Sequence, residues 1–76
     1  MNGDASQGKI RQIIGVVVDI EFPDGELPPL YAALKIPRKG DALILEVQQH
    51  LGDRVIRAVA MDNTDGLMRG QAVQNT

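Results

Sequence analysis

Acid–base chemistry near neutral pH needs a histidine, a perturbed carboxylate or a thiolate, and this chain supplies one histidine, His50, and no cysteine. His50 stands at the end of an alternating stretch, two residues before Gly52-Asp53. A surface side chain at the end of a strand accounts for it. Asp62 and Asp65 lie three apart, a spacing that invites a hard cation. Their segment lacks the dense alternating oxygen donors and the closing glutamate of a calcium loop, and turn formation explains both aspartates. The one Gly-Lys pair, Gly8-Lys9, is followed by Ile10 and opens a strand instead of a helix. No array of free amides stands behind it to cradle a phosphate. The expected lists of catalytic, cofactor-binding and metal-binding residues are therefore empty.

The basic residues tell a similar story. Arg38-Lys39 falls in a turn, and Arg54, Arg57 and Arg69 are scattered among Asp53, Asp62 and Asp65. With a net charge of −2 and both signs interspersed, a solvated, balanced surface is the simplest account. Lateral pairing with a neighbouring subunit is the other use, since the planar guanidinium fork grips carboxylates in two places. Phe22 and Tyr31 are the only aromatics, too few for a nucleic-acid stacking platform along a basic groove. The longest apolar run, Ile13 to Val18, falls far short of the roughly 20 residues of a membrane-crossing helix. Met1 to Gln7 has neither the basic region nor the apolar core of a secretory signal and is expected to be a flexible polar tail. The lack of cysteine fits a cytosolic compartment better than a secreted one.

The elements that must position these residues are strands. From Ile10 to Phe22 the even positions are apolar except for Gln12, the period-two signature of a strand. Thirteen residues is long for one straight strand, and Gly15 is the expected site of a bulge or bend. Pro23-Asp24-Gly25 ends the run, and a single helical turn packed by Leu30 and Leu34 is expected over Leu30-Tyr31-Ala32-Ala33-Leu34. Leu34-Lys35-Ile36 reads as a short strand stopped by Pro37 and a turn at Arg38-Lys39-Gly40-Asp41. Ala42 to Leu51 alternates again, with Leu43, Leu45, Val47 and Leu51 on one face. Gly52-Asp53 is placed in a two-residue hairpin loop, Arg54 to Met61 in the return strand, and Gln71 to Gln74 in a brief last strand. Asp65-Gly66 is the tightest point of the turn-rich segment between them. These elements predict an all-β fold, a small closed six-stranded antiparallel Greek-key barrel with one short helical turn. Its core is expected to include Ile14, Val16, Val18, Ile20, Leu45, Val47 and Val59. Ile13, Val17, Ile44 and Ile56, apolar on the second face, are candidates for lateral contact surface.

Two segments are more specific than a generic barrel: Leu45-Glu46-Val47-Gln48-Gln49-His50-Leu51-Gly52, and Ala60-Met61 before Thr64-Asp65-Gly66-Leu67 and Arg69-Gly70. With Gly8 to Pro23 and Leu27 to Leu34, they make the chain resemble the amino-terminal barrel of the beta subunit of rotary F-type ATP synthase. The alpha subunit shares that fold and resembles this sequence less. Val16 departs from the pattern, standing where the family often has proline or alanine. The resemblance covers Gly8 to Thr76 and implies a barrel domain at 8–76, after a tail at 1–7. The family's nucleotide-binding domain, with its phosphate loop, magnesium ligand and catalytic glutamate, and its carboxy-terminal helical domain would lie beyond Thr76.

On that resemblance, barrels of three alpha and three beta subunits form a crown that holds the alternating hexamer together during proton-driven ATP synthesis. The expected partners are alpha and beta barrels in a ring, with no nucleic acid and no membrane insertion, and a monomer or weak oligomer in isolation. No cofactor is expected in this chain; ATP, ADP and Mg belong to the parent subunit. The implied location is peripheral, on the cytoplasmic face of a bacterial plasma membrane or the matrix side of a mitochondrial one. The rival reading is a stand-alone small barrel that binds a protein or a nucleic acid, and an enzymatic role would need the missing domain in trans.

Overall fold

The computed structural model describes residues 7–76, so the tail expected over 1–7 lies outside the described residues except for Gln7, which opens the first strand. The strands are β1 (Gln7–Ile14), β2 (Val17–Glu21), β3 (Ala33–Arg38), β4 (Asp41–Gly52), β5 (Val55–Ala60) and β6 (Ala72–Asn75). They close into a barrel in the order β1-β2-β5-β4-β3-β6, every pair antiparallel. β3, β4 and β5 follow one another by tight hairpins, and β6 returns beside β3, which is the Greek key. Closure satisfies the outer strands of a sheet that would otherwise expose unpaired backbone. β6 makes that closure with few rungs, three to β1 and two to β3. Gln71 O and Gly70 N extend it by bonding Ile10.

The stretch read as one bent strand from Ile10 to Phe22 is a hairpin. Ile14 pairs with Val17 across a two-residue loop, Gly15-Val16. Gly15 has φ 59° at the first central position, as a type II′ turn requires. A bulge at Arg11 moves the register between Ile10 and Gln12. The bulge and the turn each shift the alternation by one residue, and the two shifts cancel. Ile10, Val18, Ile20 and Phe22 are therefore inward and buried, while Ile14 and Val16, which lie between the shifts, are 61% and 45% exposed. Two members of the expected core are thus corrected to the exterior. Val18, Ile20, Leu45 and Val47 are buried as expected, Val59 only half so, and Ile56 is wholly interior.

The helical turn expected at Leu30 is a β-turn, and the described residues contain no helix. Ala32 N donates to Pro29 O at 3.1 Å, and Tyr31 takes φ 69°, which a right-handed helix excludes. Leu30 is exposed, whereas Leu34 is buried in β3. β3 runs through Pro37 because β6 pairs only Leu34 and Lys35, so the proline lies past the paired stretch on that side. In β4, register shifts between Val47 and Gln49 and between His50 and Gly52 turn Leu51 out of phase with Leu43, Leu45 and Val47. The hairpin loop there is Asp53-Arg54, not Gly52-Asp53; both loop residues have positive φ, 54° and 65°, and Gly52 pairs with Val55. Gly8 lies against the core: a Cβ there would stand 2.6 Å from Ile20 Cγ2 and 2.8 Å from Phe22 Cζ.

Candidate interaction surface

The one strongly buried charge among the described residues is Asp19, 7% exposed. Gln12, Asp19 and Arg57 share a rung across β1, β2 and β5. Arg57 donates from Nε to Asp19 Oδ1 at 2.9 Å and from Nη2 to Oδ2 at 3.1 Å, and Gln12 Nε2 donates to Oδ2 at 3.3 Å. The hydrogen bonds of Arg57 to Asp19, and then the charge of Asp19, raise the Arg57 pKa above its ordinary value. Both carboxylate oxygens are engaged, so the group stitches three strands together and offers no reactive atom.

The other polar candidates are also accounted for by structure. His50 Nε2 lies 2.7 Å from Pro28 O, fixing the β2–β3 loop at the barrel mouth. Asp62 Oδ1 accepts from Asn63 N, and Asn63 Oδ1 accepts from Asp65 N, so the aspartate spacing serves a turn. No group of acidic or histidine side chains suited to a metal is present among the described residues. Gly8 and Lys9 sit in β1 paired with Val73 and Ala72, and the space above Gly8 is filled by Ile20 and Phe22. A nucleotide phosphate finds no cradle there. Arg11 pairs with Glu21 at 2.8 Å, Arg38 bonds Asp41 and Asn63 O, and Arg54 donates to Phe22 O and Gly25 O.

The exposed surface also carries large apolar side chains. Ile14, Val16, Ile44 and Met61 are 61%, 45%, 41% and 57% exposed. They converge at the end of the barrel that carries the β1–β2 hairpin. Ala60 N donates to Val16 O and Met61 N to Ile44 O, both at 2.8 Å, while Thr64 Oγ1 ties the loop to Gly15 O at 2.6 Å. Val17 and Val59, half-buried partners on one rung, continue the surface along β2 and β5. Of the residues expected to form lateral surface, Ile44 and Val17 belong here. Ile56 is interior, and Ile13 packs against the core. Ile14 and Val16 lie between the cancelled phase shifts, which a period count does not register, and Met61 lies just past the end of β5 instead of within the return strand.

A six-stranded Greek-key barrel is shared by unrelated functions, so geometry alone does not assign one. The family model for the beta-barrel domain of the ATP synthase alpha/beta family matches residues 10–76. The chain belongs to that family. Its match spans all of the strands except the first residues of β1. As a barrel of the ATP synthase alpha/beta family, the domain is part of subunits that assemble with one another in an ATPase complex. No helix among its described residues is long and apolar enough to cross a membrane.

Proposed function

We propose that this chain is the amino-terminal barrel of a beta subunit and that its work is mechanical: it holds alternating alpha and beta subunits in a crown while catalysis proceeds elsewhere. The observation that carries this reading is the family match over residues 10–76. The beta assignment rests on the resemblance of Leu45 to Gly52 and of Ala60 to Gly70. Support for a non-catalytic role comes from side chains whose polar atoms are spent on strand and loop contacts, while apolar ones face outward. On this reading the chain carries no catalytic, cofactor or metal residue of its own, and Mg-ATP binds a different domain of the parent subunit. Its place is the peripheral sector of the synthase, on the cytoplasmic or matrix side, where it takes part in proton-driven ATP synthesis.

Sedimentation velocity of this chain alone and mixed with alpha-subunit barrels tests the mechanical role. A monomer or weak oligomer alone, with heavier species in the mixture, is the expected result. Absence of association at every concentration would count against it. Calorimetric titration with millimolar Mg-ATP is expected to show no saturable heat, and a site of micromolar affinity would overturn the non-catalytic reading.

A further inference from the structure

We propose that the groove along the outer side of β1, where the segment before β6 lies against it, is a docking site for an extended acidic peptide segment of a partner protein. Two open hollows of about 640 and 450 Å³ adjoin there, since Arg11 and Arg69 line both. The backbone sets their position. Gly70 N donates to Ile10 O at 2.7 Å and Ile10 N to Gln71 O at 3.0 Å, which fastens the approach to β6 against β1. Arg11 is the bulged residue of β1, and a bulge re-aims the side chain it carries. Ile13 and Leu67, both half-buried and packed against the core, supply the apolar part of the lining.

Charge and shape select the occupant. The whole chain carries a net charge of −2, yet this groove holds cations in excess. Asp19 is closed by Arg57 and Gln12, and Glu21 by Arg11. Lys9 and Arg69, both exposed, pair with no acidic side chain among the described residues. Arg11 gives one Nη to Glu21 and keeps the other N–H donors of its fork. The groove is open along its length and rimmed by charge, whereas small-molecule sites are enclosed and mostly apolar. From Lys9 to Ile13 the strand runs roughly 13 Å, the span of about four extended residues. A segment with carboxylates on either side of an apolar residue meets Lys9 and Arg69 with its charges and Ile13 and Leu67 with its apolar side chain. Carboxylates suit the arginine fork, which binds them through two parallel N–H groups. No aromatic side chain lines the groove, so a single-stranded nucleic acid finds no stacking surface in it.

The test is an amide-shift titration of isotope-labelled chain with a blocked Glu-Glu-Leu-Glu-Glu peptide, beside the same peptide with glutamine in place of glutamate. Saturable shifts at Lys9, Arg11, Ile13, Leu67 and Arg69, weakening as salt is raised, are expected from the acidic peptide alone. Lys9→Gln with Arg69→Gln should lower the affinity about fivefold, the scale of losing two solvent-exposed pairs. Lys35→Gln with Lys39→Gln removes the same charge from β3 and the turn after it and should leave binding unchanged. Thermal melts check that each variant folds, and Arg69→Gln alone carries the test if the double variant does not. No saturable shift, an equal response to the glutamine peptide, or equal weakening by the two double variants overturns the proposal. Inorganic phosphate that displaces the peptide at equal concentration makes this a plain anion site and also overturns it. A single-stranded oligonucleotide that binds the same residues more tightly makes the occupant a nucleic acid, with the same consequence. The crown reading stands or falls apart from all of these outcomes.

Discussion

Asp19 and Arg11 illustrate how burial changes the worth of a charge pair. Arg11 and Glu21 are both well exposed, so solvent screening leaves their pair about 0.2–1 kcal/mol. Asp19 is nearly buried and depends on Arg57 and Gln12 for its partners. Arg57→Ala would leave that nearly buried carboxylate with one amide donor, and a buried acceptor left short of partners is costly. Urea denaturation should therefore find Arg57→Ala more destabilising than Arg11→Ala, and equal effects would refute the ranking. The sign with pH follows from the raised Arg57 pKa: its stabilisation is full below the unfolded value and disappears only in strong alkali. Titration of this guanidinium should leave no mark on stability between pH 5 and 9. Gly8 works by absence. Gly8→Ala drives a methyl into Ile20 and Phe22, and overpacking of this kind costs about 1–3 kcal/mol. A lowered denaturation midpoint at unchanged slope is the expected reading.

Hairpin loops decide the next scale. Arg54 holds φ 65°, a conformation that costs a non-glycine residue roughly 1–2 kcal/mol, while its guanidinium ties down Phe22 O and Gly25 O. Arg54→Ala loses the ties and keeps the strain; Arg54→Gly loses the ties and relieves it. Chemical denaturation should place the glycine variant about 1 kcal/mol above the alanine one. Tyr31, 70% exposed at φ 69°, tests the same physics without side-chain ties: Tyr31→Gly should be neutral or stabilising. The hairpin at Arg38–Asp41 was legible from its turn residues, that between β4 and β5 in kind but with its loop one residue too early, and the alternation of Leu43, Leu45 and Val47 located the core of β4. The β1–β2 hairpin was not. A bulge hides from a period count when a turn undoes its phase shift, and Gln12, the one break in the apolar series, was its only trace. Tyr31 misled for a related reason. Its residue type points away from positive φ, and only the bonds from Tyr31 N to Val47 O and from Val47 N to Ala32 O reveal that β4 dictates the turn.

Closure makes the barrel one cooperative unit. Val73, fully buried, is the contribution of β6 to the core, and no other strand occupies the gap between β1 and β3. Removing Ala72 to Thr76 should abolish the sharp thermal transition seen by circular dichroism, whereas trimming Asn75 and Thr76 alone should lower the midpoint and keep the transition. A sharp transition after the longer deletion would show that β6 is dispensable. Family membership was legible from Leu45 to Gly52 and Ala60 to Gly70, because those segments carry particular residues beyond a strand pattern. The outward face was only partly so, since exposure depends on register and register depends on the bulge. The pairing of Gln7 with Gln74 brings the start of β1 beside the end of β6. A pull applied to the chain before Gln7 and after Thr76 therefore loads the β1–β6 rungs one after another, like a zipper opened from its end. A sideways load through the wall of the barrel is instead shared by many rungs at once. The domain is stiff against loads through its wall and soft along its own chain.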